Sequence, residues 1–225
     1  MTEDGLENRR PLKSRGSGWA RGLARALARA GARPNHISAA SVAFAAAGFA
    51  LFVIAGLQPP PVRTAALVGA ALCIQLRLVC NLLDGMVAVE YQRGSASGPI
   101  WNELPDRFAD ALFLAGAGYC AAGAGYFLLL GPVLGWLAAV LAVTTAYLRE
   151  LGRGLGFPAD FSGPMAKPQR MAALTVTAVA AAFEPLWGGH GQTILAGLAV
   201  IVLGAGLTVI GRTRTLARRL AEAKR

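Results

Sequence analysis

Apolar residues fall in long uninterrupted runs along this chain, and polar residues gather at the ends of those runs. Six runs, at about 37–57, 62–89, 103–122, 126–149, 168–183 and 192–210, read as helices that cross a bilayer. About 20 apolar residues are needed to span about 30 Å of hydrocarbon, and only the fifth run is short for that. Gln58-Pro59-Pro60-Pro61 predicts a turn, and the stretch from 90 to 101 predicts a polar loop. Ahead of the first span, Trp19, Leu23, Leu27 and Ala30 recur at helical spacing, with Arg21, Arg25, Arg29 and Arg33 on the other side. That pattern predicts an amphipathic helix lying in the membrane interface, arginines towards anionic headgroups. The alternative is a basic soluble helix packed on something else. Pro34-Asn35-His36-Ile37-Ser38 separates this helix from the first span, with Ser38 as its expected N-cap. Pro105 is expected in the first turn of the third span.

Composition supports a membrane protein. The chain has 225 residues, 55% of them hydrophobic and only 15% charged, which is too apolar for an ordinary soluble domain. The expected fold class is all-α: a polytopic membrane protein with six transmembrane helices and an N-terminal amphipathic helix. A net charge of +10 would fit nucleic acid, but the basic residues flank apolar runs and form no face of a soluble domain, so no nucleic acid is expected. Of the 22 Lys and Arg residues, 20 lie on one side of the six-span layout, with Arg63 on the other side and Arg77 inside a span. The positive-inside rule then puts both termini in the cytoplasm of a multi-pass cell-membrane protein. The expected segments are a cytoplasmic stretch with the juxtamembrane helix (1–33), a six-helix domain (34–211) and a basic cytoplasmic tail (212–225). Cys73, Cys80 and Cys120 lie in apolar runs without metal or disulfide spacing. No cleavable signal peptide is expected from the charged first 30 residues.

The polar residues that interrupt the spans carry the chemistry. Asn81, Asp84 and Ala88 are three and four apart and share a helix face; Glu103, Asp106 and Asp110 share one on the next helix. Carboxylates at membrane depth are costly unless paired, so two such stripes predict a cation site. Oxygen-only ligands select a hard ion, Mg²⁺ or Mn²⁺. Such a site, with a basic loop nearby, supplies what phosphoryl transfer requires: charge neutralisation and a base. Neither His36 nor His190 is expected to take part.

Asn81-x2-Asp84-Gly85-x2-Ala88-Val89 followed by Asn102-x3-Asp106-x3-Asp110 resembles the signature of the CDP-alcohol phosphatidyltransferase family, D-x2-D-G-x2-A-R and then G-x3-D-x3-D. Pro34-Asn35-x-Ile37-Ser38 and the six-span layout extend the resemblance over most of the chain. It implies that Asn81, Asp84, Asp106 and Asp110 are metal ligands and that Asp110 is the general base for the hydroxyl acceptor. It implies that Gly85 and Ala88 line the cytidine nucleotide, with Asn35 and Ser38 near it. Arg149, Arg153, Lys167 and Arg170 would bind phosphate on donor or acceptor, or would serve only as positive-inside charge. The implied donor is CDP-diacylglycerol or another CDP-alcohol, the implied setting is among membrane lipids, and the implied assembly is a homodimer. The acceptor is chosen by pocket shape, which no motif encodes.

Three positions depart from the signature. Asn81 replaces the first aspartate, Val89 replaces the arginine, and Asn102 stands where the second glycine is expected, although Gly98 fits its spacing. Glu103 offers a compensating negative charge, and Arg77 offers either a replacement arginine or a neutralising cation. Two readings follow: a metal-dependent transferase of phospholipid biosynthesis, or a catalytically silent protein of the same fold that binds nucleotide-lipid or acts as a scaffold. A small transporter is a remote third, since no inverted repeat is visible.

Overall fold

A computed structural model describes residues 16–92, 96–123 and 128–223, and among them every regular element is helical. The helices are α1 (Gly18–Arg29), α2 (Pro34–Leu57), α3 (Val62–Glu90), α4 (Gly98–Gly123), α5 (Leu130–Gly154), α6 (Lys167–Ala182) and α7 (Gln192–Ala223), with a short 3₁₀ turn at Glu184–Trp187. Four of these, α2, α3, α5 and α7, are long and apolar enough to cross a membrane. Charged residues fill the first half of α4, and α6 has only 16 residues, so neither meets that measure.

Small residues set the packing. Helix α2 lies along both α3 and α4, α4 continues onto α5, and α7 closes against α5 and α6. A Cβ at Gly118 would sit 2.6 Å from the Gly131 carbonyl oxygen, and one at Gly135 would sit 2.8 Å from that of Leu114. Helices α4 and α5 therefore touch backbone to backbone, as small residues permit. The buried core runs through Phe52, Leu67, Ile74, Phe113, Leu174 and Leu198. Large apolar side chains also face outward, among them Val133, Trp136, Val140 and Tyr147 on α5 and Leu203 and Leu207 on α7. That exterior suits a hydrocarbon solvent.

Helix α1 buries Ala20, Ala24 and Ala28 against a cluster at the end of α3 that includes Leu83, Met86 and Val87. Trp19 and Leu23 stay exposed, and so do Arg21, Arg25 and Arg29. The helix stops at Gly31, whose φ of 79° a residue with a side chain rarely adopts.

Several expected boundaries move. Helix α2 starts at Pro34, with Arg33 at the cap, so Ser38 is not the N-cap; the fixed φ of proline suits the first helical position. Helix α4 starts at Gly98, so Pro105 is in its interior and not its first turn. Helix α5 begins at Leu130, and Tyr126, where that span was expected to start, lies outside the described residues. Helix α7 continues to Ala223, so most of the expected basic tail is helix. The expected cytoplasmic stretch is described only from Gly16 onward.

The end of the bundle away from α1 is tied by a buried ion pair. Arg63 donates to Glu184 at 3.0 Å and to the Ala55 carbonyl at 2.9 Å, and the N–H groups of Gly191 and Thr193 donate to the same carboxylate at 2.8 Å each. Burial pushes the Glu184 carboxyl up, but those donors outweigh it and hold the group below its usual range.

A candidate phosphotransfer site between two helices

Helix α3 carries Arg77, Asn81 and Asp84 at i, i+4 and i+7, so all three emerge on one face. Helix α4 carries Asp106 and Asp110 one turn apart, and the first turn of α6 brings Lys167 and Arg170. Helices α3 and α4 barely approach one another through their backbones; the polar side chains fill the space between them.

Arg77 is fully buried. Its Nη2 donates to Asp110 Oδ1 at 2.6 Å, to Asp106 Oδ1 at 3.1 Å and to the Asp106 carbonyl at 3.2 Å. Arg170, equally buried, donates to Asp110 Oδ2 at 2.5 Å. Lys167 pairs with Asp106 Oδ2. The Asn81 amide donates to Asp106 Oδ1 at 2.5 Å. Ser38 of α2 donates to Asp84 Oδ2 at 2.7 Å. Three carboxylates, Asp84, Asp106 and Asp110, thus stand among three cations, Arg77, Lys167 and Arg170, which makes the buried cluster close to neutral. Nε and Nη1 of Arg77 and Nε of Arg170 are buried without a hydrogen-bond partner among the described residues.

Other predicted site residues divide into two groups. Asn35, Gly85 and Ala88 are half-buried at the same end as the cluster. Glu103 does not join it: its carboxylate takes Arg107 and, at 2.5 Å, Arg149, so it supplies no charge to Asp106. Arg149 also meets Glu150 at 2.7 Å and stacks over the Phe161 ring, and Arg153 meets Glu150 at 2.9 Å. Of the four expected phosphate binders, the fold brings Lys167 and Arg170 onto the aspartates and leaves Arg149 and Arg153 on the flank. The contact of Ser38 with Asp84 had no signal in the sequence beyond helix phase, because 46 residues separate the two.

The donor set can be tested against a divalent ion. Among the described residues, no three acidic, His or Cys side chains converge as a ready-made ligand group. Both oxygens of Asp110 face guanidinium groups. Asp84 is different. It has no ion-pair partner among the described residues, and its Oδ2 accepts from Ser38. Asn81 spends its amide nitrogen on Asp106, and its oxygen is not used in that bond. Lys167 is 27% exposed at its side chain, whereas Arg77 and Arg170 are buried. Asp84, Asn81 and Asp106 carry the kind of oxygen donors that a hard ion takes.

No family model matches the chain. It is 30% identical over 154 residues to the phosphatidylinositol phosphate synthase of Streptomyces avermitilis, over 67% of this chain, and spans 62% of that relative's length. Its fold is that of the Mycobacterium tuberculosis phosphatidylinositol phosphate synthase. A structure of that protein in complex with manganese and citrate matches with a TM-score of 0.73 at 19% identity, covering 88% of both chains. Another, with CDP-DAG bound, matches with a TM-score of 0.71 at 18% identity, covering 88% of this chain and 92% of that one. The relative and the shared fold agree with the resemblance that the paired aspartate motifs carry to the CDP-alcohol phosphatidyltransferase family.

Proposed function

We propose that the protein transfers a substituted phosphate group from a CDP-alcohol, with CDP-diacylglycerol as the donor, to a hydroxyl acceptor and releases CMP. The observation that carries this reading is the hydrogen bond of Asn81 on α3 to Asp106 on α4, beside the Arg77 ion pairs to Asp106 and Asp110, with Asp84 one turn further along α3. The similarity to phosphatidylinositol phosphate synthases supports it and points to inositol phosphate as the first acceptor to try.

Asp84, Asn81 and Asp106 would hold one Mg²⁺ or Mn²⁺, which neutralises charge on the transferring phosphoryl group. Ser38 orients the Asp84 carboxylate by its hydrogen bond. Asp110 takes the proton of the acceptor hydroxyl once Arg170 yields one carboxylate oxygen. The acceptor oxygen then forms its bond to phosphorus as the bond to CMP breaks. Lys167 and Arg170, released from the aspartates, bind phosphate oxygens of donor or acceptor, and Arg149 and Arg153 supply a positive rim. Asn35, Gly85 and Ala88 border the nucleotide.

In the same reading, α4 and α6 cross the bilayer with the other four long helices. The basic end, with the site and both termini, faces the cytoplasm. Helix α1 lies in the interface with Trp19 and Leu23 towards lipid, and two copies pair as a homodimer.

The neutral, ion-paired cluster also favours a second reading, a silent member of the fold that binds nucleotide-lipid without turnover. The experiment that separates them is CMP release from CDP-diacylglycerol by purified protein with Mn²⁺ and a panel of inositol phosphate, glycerol phosphate and serine. Acceptor-dependent release supports the transferase; no release with any acceptor supports the silent protein.

A further inference from the structure

We infer that Arg77 takes the place of a second metal ion, so that this site works with one divalent ion and one built-in guanidinium. The inference rests on the transferase reading and refines it. Two-ion phosphoryl-transfer sites hold their ions about 4 Å apart, between carboxylates that bridge them. Here the position between Asp106 and Asp110 is already filled by the Arg77 guanidinium, at 3.1 Å from one carboxylate and 2.6 Å from the other. Arg77 is held by both carboxylates at once, whereas Arg170 pairs with Asp110 alone. Arg77 is fully buried, and it leaves α3 one turn before Asn81. A guanidinium cannot lose its proton inside a protein, so its charge is permanent.

Asn81 points the same way. Its amide nitrogen is 2.5 Å from Asp106 Oδ1. An aspartate there would set two carboxylates against each other and would need a cation between them. The amide replaces that repulsion with a hydrogen bond, so Arg77 and Asn81 together remove both the space and the charge that a second ion requires. Arg170 on the other oxygen of Asp110 adds a further cation to the same place.

The test is the number of Mn²⁺ ions bound at saturation by purified protein without substrate, counted by electron paramagnetic resonance of free Mn²⁺. The wild type is expected to bind one ion per chain. Arg77→Met combined with Asn81→Asp is expected to bind two, and Arg77→Lys, which keeps the charge, one. Helical circular dichroism and size-exclusion profile show which variants are folded. Two ions on the wild type overturn the inference, and so does one ion on the folded double variant. If the double variant does not fold, two ions on Arg77→Lys overturn it and one supports it. A wild type that binds none, beside a double variant that gains ions, removes the one-ion transferase reading but keeps Arg77 as the excluding cation; none on either overturns both.

Discussion

Arg77 on α3 and Asp110 on α4 are joined by a buried ion pair of 2.6 Å, and the second oxygen of that same carboxylate is held by Arg170 at 2.5 Å. One aspartate therefore binds three helices, α3, α4 and α6, at the centre of the site. The cluster has a structural role beside its chemical one, and substitutions in it separate the two.

Arg170 and Lys167 are one turn apart on α6 but differ in burial, with side-chain exposures of 1% and 27%. Removing one partner of a buried pair strands the other charge and costs about 3–5 kcal/mol, whereas a pair open to solvent is worth about 1 kcal/mol or less. Arg170→Met is expected to lower the thermal midpoint in detergent by many degrees, and Lys167→Met only slightly. Equal losses would show that the two pairs are equivalent.

Ser38 reaches Asp84 across two helices with a 2.7 Å hydrogen bond. Partners that orient a metal ligand typically contribute 10–100-fold to metal affinity. Ser38→Ala is expected to raise the Mn²⁺ concentration for half-maximal CMP release by roughly 10-fold, with turnover at saturating Mn²⁺ little changed. An unchanged Mn²⁺ requirement would mean that Asp84 does not bind the ion.

At the opposite end, Glu184 is held as an anion by Arg63 and two backbone N–H groups. Its pKa lies below the usual carboxylate value, so the stability it adds is complete above that usual value and is lost as pH falls through the depressed one. Thermal unfolding of Glu184→Gln against wild type should show a gap of about 3 kcal/mol at neutral pH that shrinks as the medium is acidified below about pH 4. A gap that stays constant with pH would contradict this assignment.

Much of this was legible in the sequence, for definite physical reasons. The 3.6-residue period put Asn81 and Asp84 on one face and Asp106 and Asp110 on another; Asn81 meets Asp106, Arg77 joins Asp106 to Asp110, and Asp84 meets Ser38. The spans at 37–57 and 62–89 lie within or match α2 and α3 because apolar composition and proline breaks define them. What failed was signalled by residues with two roles. Pro105 reads as a helix start but sits inside α4. Arg212 reads as tail charge, yet it is buried and donates to the Ser162 and Thr145 carbonyls, fastening the loop after α5 to α7. Glu103 shares its helix phase with Asp106, but Arg107 and Arg149 capture it first. Lys167 and Arg170 were recognisable as basic residues near the loop before the fifth span, but their contact with Asp106 and Asp110 is long-range and has no local trace.

The close backbone contact of α4 with α5 fixes where Asp106 and Asp110 stand. Gly118→Ala places a Cβ 2.6 Å from the Gly131 carbonyl oxygen, so the helices must separate. Overpacking of this kind costs about 1–3 kcal/mol. The variant is expected to unfold at lower temperature and to lose CMP release at temperatures where wild type is fully active.

The most direct measurement compares CMP release from CDP-diacylglycerol, with Mn²⁺ and inositol phosphate, by wild type, Asp84→Asn and Asp110→Asn, each checked for helical content. The account predicts release by wild type that stops on chelation, and a fall of at least about 100-fold in both variants. Release that persists in folded Asp84→Asn and Asp110→Asn, or that ignores chelation, would contradict it.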